Sequence, residues 1–261
     1  MSSAMYVAKT GLDAQQNRMA VISNNLANVN TTGFKKDRAN FETLLYQTVR
    51  AAGALTSAET ELASGFTVGT GVRVINSDKS YSQGNLQMTD NALDIAIDGA
   101  GFFQVLLPDG TIKYTRDGTF TRSAEGNLTT SSGYEVQPVI NVPDDALGIS
   151  VSSDGIVAAR LPGQTEEQEL GQLELANFPN VRGLAPLGEN FLAETVASGA
   201  PILSVPAENG LGKLVQGALE ASNVNVIEEL VAMIETQRSY ELNSKAIQSI
   251  DQMMQFISNN L

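Results

Sequence analysis

The chain has 261 residues, is 42% hydrophobic and 17% charged, and contains neither Cys nor His. The apolar content excludes disorder of the whole chain, and the missing residue types remove thiolate nucleophiles, disulfides, zinc–sulfur sites and imidazole bases or metal ligands. A formal charge of −13 repels phosphate backbones, so nucleic acid is not an expected partner. Length allows one or two domains. The charge is uneven: residues 1–50 carry six basic and three acidic groups, 51–225 carry eight and 21, and 226–261 carry two and five. The two ends are thus opposite in sign. The longest early apolar run, residues 4–8, is too short for a cleavable signal, and no stretch has the roughly 18–20 apolar residues of a membrane span.

All eight Pro lie between positions 108 and 206 and 20 of the 23 Gly between 65 and 217, which predicts helical ends around a turn-rich middle. Met5, Ala8, Leu12, Gln15, Met19, Ile22, Leu26 and Val29 follow alternating steps of three and four, a heptad seam. Asn30-Thr31-Thr32-Gly33 should stop that helix near Asn30, at a length of roughly 40 Å. Residues 41–49 read as a helical stretch, giving way at 51–64 to a small-residue and Thr-rich run, the whole a connecting arm.

The middle predicts β structure. Residues 102–107, the turn Pro108-Asp109-Gly110 and residues 112–116 form an expected hairpin, with further turns at Asp117-Gly118, Glu125-Gly126-Asn127, Ser131-Ser132-Gly133 and Ser153-Asp154-Gly155. Short strands at this spacing suit a sandwich or partly closed barrel. At the far end Asn225 is placed to cap a helix with Glu228 three residues on. That helix carries one stripe through Leu230, Met233, Tyr240, Ile247, Met254 and Leu261, with Gln237, Ser244, Asp251 and Ser258 interleaved. A second stripe runs through Ile227, Val231, Ile234, Leu242, Ala246, Ile250, Met253 and Ile257, so the apolar face is wide enough for more than one neighbouring helix.

Ser23-Asn24-Asn25-Leu26-Ala27-Asn28-Val29-Asn30-Thr31-Thr32-Gly33-Phe34-Lys35 closely resembles the N-terminal signature of bacterial flagellar rod and hook proteins. The resemblance continues through Gly84-Asn85-Leu86, Thr89, Leu93-Asp94-Ile95-Ala96-Ile97, Gly99, Gly101-Phe102-Phe103 and Tyr114-Thr115-Arg116-Asp117-Gly118. It resumes at Ser222-Asn223-Val224-Asn225-Val226 and Gln237-Arg238-Ser239-Tyr240-Glu241, where Ser239 stands in place of an expected Ala. Within the family, residues 41–50 and the full length look most like the distal-rod type. Shorter proximal rod proteins would lack most of the β domain, and hook protein would be longer.

The resemblance implies an α+β chain whose N- and C-terminal helices form a coiled-coil-like inner domain, with a central all-β outer domain. The expected boundaries are 1–30 for the first helix, 31–80 for the arm, 81–215 for the β domain and 216–261 for the last helix. It further implies helical stacking of many copies into a rigid axial shaft that carries torque to the hook. The implied partners are further copies of the chain, proximal rod and hook proteins, the surrounding periplasmic and outer-membrane rings, and the type III export apparatus that would replace a cleavable signal. No nucleic acid, membrane insertion, cofactor or metal is implied. The expected assembly interface comprises Met5, Leu12, Met19, Ile22, Leu26, Val29, Leu230, Met233, Ile234, Tyr240, Ile247, Ile250, Met254 and Ile257, with Gln15 and Gln237 as polar positions fixing register. Phe41, Leu44, Leu45, Tyr46 and Val49 form an expected bracing segment.

Other chemistry lacks its signature. Gly69-Thr70-Gly71 and Gly99-Ala100-Gly101 do not continue as phosphate loops, and no calcium-loop pattern surrounds the turn aspartates. Asp90, Asp94 and Asp98 would lie along one strand face about 13 Å apart, too far for a carboxylate pair. The alternatives are another rod or hook subunit and, in a different class, a cell-wall glycan hydrolase using two carboxylates.

Overall fold

The computed structural model describes residues 3–51, 53, 55–57, 60–61, 64–163 and 167–259. Helix α1 spans Ser3–Ala27 and helix α2 spans Val226–Asn259, and among the described residues between them the regular elements are strands and one 3₁₀ turn. The α+β organisation read from the Gly and Pro distribution is the observed one. The chain divides into two compact units. One holds Met1–Ala27, Asp37–Asp78 and Asn225–Leu261, and the other Asn28–Lys36 and Lys79–Val224.

In the first unit α1 and α2 pack antiparallel. Asn25 Nδ2 donates to Glu229 Oε2 at 3.3 Å, while a Cβ placed on Gly11 would lie 3.2 Å from Asn243 Nδ2. These pairs are separated by equal lengths of both helices, so the two run in step. Asn225 caps α2, its Oδ1 accepting from Ile227 N at 3.0 Å and Glu228 N at 3.5 Å, as the sequence predicts. Glu228 and Glu229 in the first turn also suit the positive end of the helix dipole.

Residues 41–49 are not helical. Asp37–Thr43 is a strand paired with Val72–Lys79, and Gln47–Arg50 pairs antiparallel with Phe66–Val68. A helix of nine residues is marginal alone, whereas Phe41, Thr43, Thr48 and Val49 favour extended backbone and find partner strands just downstream. α1 also stops at Ala27, which leaves Val29 in the following turn and outside the helical stripe. The side chain of Ile257 and the whole of Leu261 lie outside the described residues.

The second unit is built around a seven-stranded sheet ordered Phe120–Arg122, Leu128–Thr130, Glu135–Gln137, Phe103–Leu106, Ile112–Thr115, Phe191–Ala193 and Ala185–Gly188. The hairpin expected around Asp109-Gly110 sits in its middle, with Lys113 opposite Val105. Successive side chains leave a strand on opposite faces. Phe103 accordingly joins a core with Ile95, Ile97, Phe120 and Leu175, and its neighbour Phe102 joins a second with Tyr114, Phe178 and Leu192. Edge-to-face rings tie both, Phe103–Phe120 at 4.9 Å and Tyr114–Phe178 at 4.8 Å. Two further strand pairs, Ile95–Asp98 with Lys213–Gln216 and Leu86–Met88 with Ala218–Glu220, deliver the end of this unit toward the start of α2 in the sequence.

Candidate assembly surface

Two contacts between small or polar residues mark the seam of α1 and α2, Asn25 with Glu229 and Gly11 with Asn243. On α1 the buried positions are Ala14, Ile22 and Asn25, with Gly11 against Asn243, and on α2 they are Glu229 and Thr236. Glu229, Thr236 and Asn243 repeat every seven residues. Small side chains let the helices approach closely, and Asn25 opposite Glu229 supplies a polar contact that fixes register. Asn25 works in both directions. Its amide donates to Asp37 O at 2.9 Å and accepts from Asp37 N at 2.8 Å, so the side chain holds the first strand to the helix pair as a backbone ladder would.

The chain's own packing covers the expected interface only in part. Ile22 is buried; Met5, Leu12, Met19, Leu26, Val29, Met233, Ile247 and Ile250 are half-buried; Leu230, Ile234, Tyr240 and Met254 are exposed. Ile227, Val231 and Leu242 of the second stripe are 74%, 51% and 67% exposed. Phe256, in neither predicted stripe, is exposed as well. Of the two polar register positions, Gln237 is exposed, whereas Gln15 is half-buried with its carbonyl oxygen enclosed and unpartnered. An apolar band along one 34-residue helix is a surface suited to burial against other helices.

The expected bracing segment is a bend at residues 44–46 with Phe41 and Val49 in the strands on either side. Leu44 N donates to Gly71 O at 2.9 Å and Thr70 Oγ1 to Leu45 O at 2.6 Å, while Arg73 and Glu42 form an ion pair beside them. Held this way, Leu45 projects at 90% exposure, with Phe41, Tyr46 and Val49 also exposed and Leu44 half-buried. The bend, Tyr6 and Arg73 line an open concavity of about 820 Å³.

The signature following α1 has its own structural work in the second unit. Gly33 has φ +67, and any Cβ there would sit 2.8 Å from the backbone carbon of Arg116. Lys35 Nζ donates to Glu220 Oε1 at 2.6 Å and to Ser82 O at 2.9 Å. Arg116 donates through Nη1 to Glu220 Oε2 at 3.4 Å and through Nη2 to Gly99 O at 2.8 Å. Gly84 N also donates to Glu220 Oε1, at 2.9 Å. All three charged groups are buried, and burial pulls both Lys35 and Arg116 below their ordinary basic values against the pull of Glu220. Asn223 completes the junction: its Oδ1 accepts from Lys36 N at 2.7 Å and its amide donates to Ser80 O at 2.8 Å. No pattern in the sequence marked Glu220, because its partners Lys35 and Arg116 are 185 and 104 positions away.

Asp94, the middle acid of the spaced aspartates, is bound by Thr89 Oγ1 at 2.7 Å and Asn91 Nδ2 at 2.9 Å, and it closes a turn. Asp98 pairs with Lys213 at 3.4 Å. No helix among the described residues is long and apolar enough to cross a membrane.

Comparison with known proteins gives the same family as the motifs. The family described as "Flagella basal body rod protein" matches residues 5–35, "Flagellar hook protein FlgE/F/G D1 domain" matches 96–159, and "Flagellar basal body rod FlgEFG protein C-terminal" matches 215–261. The flagellar basal-body rod protein FlgG of Buchnera aphidicola from Schizaphis graminum is 55% identical over 258 residues, 99% of each chain. The protein of that name in Borreliella burgdorferi is 46% identical over 263 residues, covering 100% of this chain and 99% of its own. That of Bacillus subtilis is 36% identical over 264 residues, 99% of each. With paired terminal helices, a central β region and relatives of this identity along its whole length, the chain belongs to the flagellar basal-body rod proteins.

Proposed function

We propose that the chain is the structural subunit of the flagellar distal rod, polymerising through its helix pair into a rigid shaft that transmits torque to the hook. The observation that carries this reading is the apolar band of α2, formed by Ile227, Leu230, Val231, Ile234 and Leu242, which the antiparallel partner α1 leaves uncovered. Further copies of the chain cover it in the shaft. The bend at residues 44–46 presents Leu45 and Tyr46 to the neighbouring subunit and stiffens the shaft, while the helices hold it together. Proximal rod proteins and hook protein meet its two ends, ring proteins of the periplasm and outer membrane surround it, and the flagellar type III apparatus exports the subunit. The role is mechanical, with no reaction catalysed.

Deleting the gene should leave basal bodies with short rods and no hooks, and full-length rods in that strain would contradict the assignment. Complementation with Leu45→Ser/Tyr46→Ser should restore rods of normal length that bend. Straight rods from this variant would remove the bracing role. Incubation with peptidoglycan separates the enzymatic alternative, since glycan release abolished by a single carboxylate substitution would replace the mechanical reading.

A further inference from the structure

The junction of Lys35, Arg116 and Glu220 is not balanced. Two buried cations face one buried carboxylate, and Glu220 is the anion both of them meet. The hydrogen bonding is unbalanced in the same sense. An ammonium has three protons and a guanidinium five N–H groups. Lys35 donates to Ser82 O and Glu220, leaving one proton over, and Arg116 Nε is buried without an acceptor. Both residues line one cavity of about 20 Å³, together with Lys79, Asn190, Phe102 and Tyr81, whose hydroxyl is buried. That is room for a single water or a single monatomic ion.

Electrostatics chooses between them. A surplus positive charge in a desolvated site is unfavourable unless an opposite charge meets it, and a neutral water supplies an acceptor but no charge. We propose that the cavity binds one monovalent, chloride-sized anion, held by Arg116 Nε and Lys35 Nζ. Phe102, whose ring centroid lies 5.2 Å from the Arg116 guanidinium carbon, contributes apolar lining, and the small volume disfavours larger polyatomic anions. Bound there, the anion ties the loop after α1 to Arg116, the residue that follows the strand Ile112–Thr115, and couples folding of this unit to halide concentration.

The probe is bromide. Crystals of the full chain, grown without chloride and soaked in sodium bromide, should give one anomalous peak at the bromine edge within about 3.5 Å of Arg116 Nε. Water density there with no anomalous peak overturns the proposal. In solution, at constant ionic strength and with light scattering confirming monomer, chloride should raise the thermal midpoint of the β unit relative to gluconate, which is too large for the cavity. Once the site fills, each tenfold rise in chloride adds about 3–5 °C. A bromide peak accompanied by a midpoint indifferent to chloride means an adventitious ion only and likewise overturns it.

Discussion

At the scale of single residues the second unit depends on one carboxylate. Glu220 accepts from Lys35, Arg116 and Gly84 N while 1% exposed, so its removal strands two buried cations. Glu220→Gln should cost about 3–5 kcal/mol of unfolding free energy, the range for breaking a buried pair from one side. Lys35→Met should cost less, because Glu220 keeps Arg116 and Gly84 N and one desolvated charge is gone. Urea denaturation of both variants checks the order, and an equal or reversed ranking would show that Glu220 is not the hub. The sequence marked Gly33 and Lys35 only as members of a signature. Local pattern says nothing about a partner 185 positions away, and long-range pairing of β segments is what brings the acid in. Asn25 has the same character: its helical position was visible, but its two-way grip on Asp37 required the fold.

At the scale of elements, both helices were legible because long segments free of Pro, with heptad spacing and an Asn cap, satisfy every local requirement at once. Which stripe faces which neighbour was not. Heptad arithmetic finds apolar stripes and so includes the buried Ile22, whereas the contacts between the two helices, Asn25 with Glu229 and Gly11 with Asn243, use residues of small size or hydrogen-bonding capacity. The arm failed for a related reason, since Phe41 to Val49 carries apolar residues at spacings compatible with either period and the decisive factor is the pairing of Asp37–Thr43 with Val72–Lys79. The two faces make separable predictions. Ile234→Asp, on the exposed band, should leave the monomer within about 0.5 kcal/mol of the parent yet block polymerisation. Asn243→Leu, facing Gly11 at close range, should destabilise the helix pair by about 1–3 kcal/mol through overpacking. Circular dichroism melts and sedimentation of assembled rods read the two effects, and a reversed pattern would exchange the roles given to the faces.

At the scale of the whole molecule, the chain combines a β unit with two filled aromatic and aliphatic cores and a helix pair whose large apolar side chains are mostly half-buried or exposed. Such a division suits a subunit whose β part folds once and whose helices complete their burial only in the polymer. The family supplies the context, a basal-body rod, and the uncovered band on α2 supplies the physical reason for polymerising. The most direct measurement is a cryo-electron map of the rod in isolated basal bodies at side-chain resolution. The account predicts Ile227, Leu230, Val231, Ile234 and Leu242 enclosed by helices of neighbouring copies, with Leu45 and Tyr46 seated on an adjacent subunit. A map in which that band faces solvent or the central channel, and copies touch only through their β units, would contradict it.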